Sequence, residues 1–128
     1  MKAILIDPLE GSIRKVKFKN GNDIRGYLQC SIFSGVGFTY DKKMGTVYHD
    51  DEALFVRPLL FFYIPELYPM PLPGRGLIAG ADEDGETVNI PNKLEHNLLN
   101  GVASVSFPTF DEVTVIEQNL MNGVGYGG

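Results

Sequence analysis

The chain has no tryptophan and a single cysteine, Cys30, so neither an intramolecular disulfide nor a cysteine-built metal site is available to it. No apolar run approaches the roughly 18 residues that a membrane-spanning helix requires. The opening MKAILIDPLE meets Asp7 and Pro8 too soon for a secretory signal, which sets the expectation of a cytoplasmic protein. Histidine occurs only twice, at positions 49 and 96, and no internal repeat is present. What is there is ordinary for a globular domain. The 128 residues are 44% hydrophobic and 21% charged, which excludes a disordered tail, a collagen-like repeat and a coiled-coil rod. One domain over 1–121 is expected, with 122–128 as a flexible Gly-rich tail.

Charge is unevenly distributed. Residues 1–43 hold eight of the eleven Lys/Arg and four of the sixteen Asp/Glu, leaving +4 there and −9 on the remainder. Such polarity suits steering of a partner or a meeting of two copies, while the overall −5 argues against a general DNA coat. Arg14, Lys15, Lys17 and Lys19 alternate with Ile13, Val16 and Phe18, the pattern of a strand whose outer face is solvated.

Periodicity and turn signals predict an α+β fold, a mainly antiparallel sheet of hairpins covered by two or three short helices. Met1 to Ile6 and Ser12 to Lys19 form the first hairpin around the Asp7–Gly11 turn. Asn20 to Asn22 cap a short helix with Ile24, Tyr27 and Leu28 on one face. Phe33 to Tyr40 and Thr46 to Tyr48 make a second hairpin across Asp41–Gly45. Pro65, Pro69, Pro71 and Pro73 impose an extended arm. Leu77–Gly80 and Thr87–Ile90 flank an Asp-Gly turn as a third hairpin. Asn92 caps a brief helix carrying Leu94, Leu98 and Leu99, and Val102 to Phe107 reads as a strand. Thr109 and Glu112 fit a capping box before a last segment whose β-branched run leaves helix and strand both open.

Motifs for catalysis are weak. His49-Asp50-Asp51-Glu52 has the residue types of a metal site, but in a strand adjacent side chains point to opposite faces and at most two share a side. The run Asp82–Glu86 opens like a calcium loop, then places Lys93 at the twelfth position where a bidentate Glu is required. Cys30 and the serines lack a base and an orienting group. No catalytic residue, metal ligand set or cofactor is assigned. Gly74-Arg75-Gly76 offers a guanidinium on a pliant backbone, suited to phosphate or carboxylate, although no phosphate-loop pattern surrounds it. Beside it, Tyr68, Met70 and Leu72 sit on the stiff Pro-rich arm, which serves either to cover the core or to dock a partner at low entropic cost.

The order of these pieces resembles a family of small uncharacterised proteins encoded by bacteriophages, plasmids and integrated elements. The resemblance spans residues 1 to about 110 and rests on KAILIDPLEGSIRKVKF, NDIRGYLQCSIF, VYHDDEALF, the pair Phe61-Phe62 and YPMPLPGRGLIAGADEDGET. Ala53 stands where the pattern has Gly, and Pro73 where it has Ala. The resemblance implies a genomic setting and no established activity. Small proteins of that setting act by binding, so the expected function is a nonenzymatic accessory protein, a homo-oligomer, that binds and inhibits a host or defence protein through Tyr68, Met70, Leu72 and Arg75. The alternative is an oligomeric nucleotide-sequestering protein using Arg75, Lys15, Lys17 and Arg25 between subunits. A metal-dependent enzyme built on His49 and Asp51 is the third reading.

Overall fold

The computed structural model describes residues 1–126 and is α+β, a six-stranded antiparallel sheet with three helices. Strands β1 (Lys2–Asp7) and β2 (Ser12–Lys17) form the first hairpin, followed by helix α1 (Gly21–Leu28). Strands β3 (Phe33–Tyr40) and β4 (Lys43–Asp50) form the second hairpin, and a 3-10 turn covers Ala53–Phe55. The pair β5 (Phe61–Phe62) and β6 (Leu72–Pro73) stands apart as a two-stranded unit. Strand β7 (Gly76–Ala81), its short partner β8 (Thr87–Val88), and helices α2 (Asn92–Leu99) and α3 (Phe110–Tyr126) complete the chain.

The sheet order is β2-β1-β7-β4-β3, so the late strand β7 is inserted between the two N-terminal hairpins. It pairs antiparallel with β1 through Ile4 and Ile78, and with β4 through Val47 and the same Ile78. A strand enclosed in this way must be apolar on both faces. Leu77, Ile78 and Ala79 are all fully buried, as are Ile4, Leu5 and Ile6 of β1. One face carries Ile4, Ile6, Val47 and Ile78 under Leu94 and Leu98 of α2 and under Phe62, Ile64 and Leu67. The other carries Ala3, Leu5, Leu77 and Ala79 under Ile24 and Leu28 of α1.

Local signals set the elements. Asn20 caps α1 through its side chain, which accepts from the Asp23 N–H at 3.1 Å. Asp41 and Lys42, both at positive φ, make a two-residue turn between β3 and β4. This turn is tighter than the five-residue one expected, and β4 accordingly runs on through His49 and Asp50. The capping box forms reciprocally, Glu112 N–H to Thr109 Oγ1 at 3.3 Å and Thr109 N–H to Glu112 Oε1 at 3.1 Å, and the last segment is helical. Helix α3 reaches Tyr126, into the segment expected as a tail; Gly127 and Gly128 of that expected tail lie outside the described residues.

Two expectations are corrected. Pro91, not Asn92, caps α2, and Asn92 is its first helical residue. The strand expected over Val102 to Phe107 reduces to one bridge, Tyr63 to Ser106. The segment after Tyr63 turns at once, Leu67 N–H bonding the Ile64 carbonyl at 2.9 Å, so no extended backbone lies alongside the rest. The alternation of Ala103, Val105 and Phe107 still delivers these side chains to the core.

Close approach across the sheet requires glycine at Gly45, Gly76 and Gly80. A Cβ on Gly45 would overlap the Phe38 ring and the Ala79 carbonyl oxygen. Gly45→Ala is therefore expected to lower stability by about 1–3 kcal/mol, measured as a shift of the urea midpoint at unchanged slope.

Candidate functional site

At one end of the sheet, the C-termini of β1, β4 and α1 and the entry to β7 enclose a cleft of about 250 Å³. Asp7 ends β1 and is 4% exposed. Its Oδ1 accepts from the Leu9 N–H at 3.0 Å, which fixes the β1–β2 turn, and its Oδ2 pairs with Arg75 at 3.2 Å. Arg75 also donates to the Tyr27 carbonyl at 3.2 Å, near the C-terminal end of α1, where the helix dipole favours a cation. The guanidinium thus clamps β1 to α1 at the start of β7.

Apolar groups rim the cleft. Leu9, 66% exposed, and Val56, 51% exposed, line the cleft, and Leu54 and Phe55 of the adjoining 3-10 turn stand out to solvent at 56% and 84%. Ala53, buried against Gly74, anchors this turn. Arg57 donates to the carbonyls of Leu54 at 2.9 Å and Val56 at 3.1 Å. Asp50 completes the polar lining, its Oδ1 accepting from the Glu52 N–H at 2.9 Å.

The residues singled out from sequence do not converge on one surface. Arg75 is turned inward. Leu72 packs on the core cluster, Pro71 is buried, and Tyr68 and Met70 are half-buried, so the Pro-rich arm lies over the sheet face that also carries α2. The arm closes the far end of the β5–β6 pair, while Leu60 and Gly74 at the open end reach the cleft. Lys15 pairs with Glu95 of α2 at 3.2 Å, Lys17 is exposed on the same edge strand, and Arg25 sits on α1 over the Phe33 ring at 5.2 Å. These cations are divided between the two sides of the sheet, and no observation gathers them with Arg75 around one phosphate.

His49 and Asp50 continue β4 with side chains on opposite faces, and the His49 Nδ1 is buried without a partner. Among the described residues no group of three or more His, Cys, Asp or Glu could hold a metal ion. Burial pushes the Cys30 thiol above its ordinary pKa, reinforced by Asp50 and Glu52 and opposed by Arg25. Two features escaped the sequence. Asp7 carried only a turn signal, and Leu54-Phe55-Val56 carried no signal that set it apart from the other short apolar runs.

No protein-family model, curated protein or solved structure matches this chain.

Arg75→Met leaves the Asp7 carboxylate buried without its counter-ion and is expected to cost about 3–5 kcal/mol in chemical denaturation; adding Asp7→Asn should recover part of this. Cys30 should alkylate with iodoacetamide more slowly at neutral pH than a free thiol, because less of it is thiolate. Asp50→Asn should speed that reaction.

Proposed function

We propose that this chain is a nonenzymatic binding protein that docks a protein partner on the Leu54-Phe55-Val56 lip and the cleft behind it. The resemblance to proteins of phages and mobile elements makes that partner a host or defence component, inhibited by being bound. The observation that carries this reading is the lip itself. Three consecutive apolar side chains held out to solvent work against solubility unless another surface covers them. Arg57 bonds the Leu54 and Val56 carbonyls and Ala53 is buried behind them, contacts that help present the lip as formed.

Asp7 and Arg75 of the cleft are occupied with one another and with the backbone, an arrangement that shapes a surface. An exposed aromatic such as Phe55, flanked by the smaller apolar Leu54 and Val56, has the form of a hot-spot anchor.

The test is affinity capture with tagged protein from cells of the host, read by mass spectrometry. Phe55→Asp should reduce a specifically captured partner about tenfold or more, the loss of a hot-spot anchor, with an unchanged Tm because the ring is 84% exposed. Tyr68→Ala and Met70→Ala report on the arm in the same assay. Capture indifferent to Phe55→Asp would remove the lip from the reading, and capture lost only with the arm variants would move the surface there.

A further inference from the structure

Strand alternation gathers three cations of the first hairpin on one face. Ala3 of β1, Val16 of β2 and Phe18 just after it pack on the α1 side of the sheet, so Lys2, Lys15 and Lys17 are on the α2 side. Lys2 and Lys17 stand directly opposite one another in the register, and Lys15 is the next residue of β2 on that face. The Phe18 N–H bonds the Met1 carbonyl at 2.9 Å, so the adjoining pair, Lys2 and Lys17, is of the closer, non-hydrogen-bonded kind. Like charges set opposite in this way work against the sheet. Guarding an edge accounts for lysines on β2, but β1 is enclosed by β2 and β7, and a charge at Lys2 protects no edge. Among the described residues neither Lys2 nor Lys17 has a carboxylate partner.

The three lysines share a groove of about 240 Å³ with Glu95, the one residue of α2 that lines it. The Glu95 carboxylate reaches Lys15 at 3.2 Å, so an anion of the chain itself already occupies part of the groove. Three ammonium groups against one carboxylate leave an excess of two positive charges, which a phosphate monoester dianion balances. We propose that this groove binds a small phosphate-bearing ligand, with Lys2 and Lys17 on either side of the phosphoryl oxygens and Lys15 drawn to them from Glu95. A compact cluster suits one phosphate, whereas a nucleic-acid backbone is met by cations spread along a track. The −9 carried by the residues after Lys43 also repels a polyanion. Lys2 begins β1 and Asp7 ends it, so the groove is separate from the cleft and does not rest on the reading given for the lip.

The experiment is an NMR titration at constant ionic strength with inorganic phosphate, adenosine 5′-monophosphate and, as a phosphodiester, single-stranded DNA. The expected result is saturable binding of phosphate and the monophosphate, with the shifts centred on Lys2, Lys15, Lys17 and Glu95. Lys2→Ala and Lys17→Ala should each weaken binding about tenfold, the loss of one charge-assisted contact. Both should keep or raise the Tm in phosphate-free buffer, because the opposed charges are gone. Glu95→Gln, which releases Lys15, should tighten binding. Wild-type shifts that never saturate overturn the proposal, as does unchanged affinity in the Lys2→Ala, Lys17→Ala double variant. DNA bound more tightly than the monophosphate through the same lysines overturns the small-ligand assignment and makes the groove a nucleic-acid contact. Should an alanine variant fail to fold, Glu95→Gln decides: tighter binding supports the site, and equal or weaker binding refutes it.

Discussion

The placement of β7 between β1 and β4 is the constraint on which the rest of the molecule depends. An N-terminal hairpin and a second hairpin become one sheet only when residues 76–81, far along the chain, enter between them. Every side chain of that strand must then fit against a layer above or below. Leu77, Ile78 and Ala79 do so by being apolar and wholly buried, and Gly76 does so by yielding its space to the Phe62 ring. Because those contacts join distant parts of the chain, their formation must overcome the entropy of closing a long loop, and the gain comes from burying both faces together.

The Asp7–Arg75 pair belongs to the same constraint. Arg75 immediately precedes β7 and Asp7 ends β1, so their ion pair, with the bond to the Tyr27 carbonyl, ties the inserted strand to its neighbour and to α1 at one point. A buried pair of this kind contributes little net stability over an apolar substitute, but it disfavours other registers because any slip leaves a charge uncompensated. The cleft is the space left where these ends meet, and the 3-10 turn exposes its apolar residues beside it because Ala53 and Arg57 fix the turn from behind.

The lip is an apolar surface made by the exposed side chains of Leu54, Phe55 and Val56. Lys15 and Lys93 are engaged with Glu95 and Asp41, joining the basic first third to the acidic remainder within one molecule.

Local chemistry determined the elements. The α+β class, all three hairpins, the Asn20 cap and the Thr109–Glu112 box were legible because a turn or a cap is decided by residues within a few positions of one another. The strand expected at Val102–Phe107 shows the limit, since alternation reports which side chains are buried and says nothing about whether a neighbouring backbone is present to bond. The candidate site was the least legible part. The ring of Phe55 and those of Phe61 and Phe62 look alike in a sequence, yet one is held out to water and the others are buried, and Arg75 reads as a free cation until Asp7 is set beside it. Exposure and ion pairing depend on contacts between residues tens of positions apart, so they were decided only when the tertiary structure put β7 in its place.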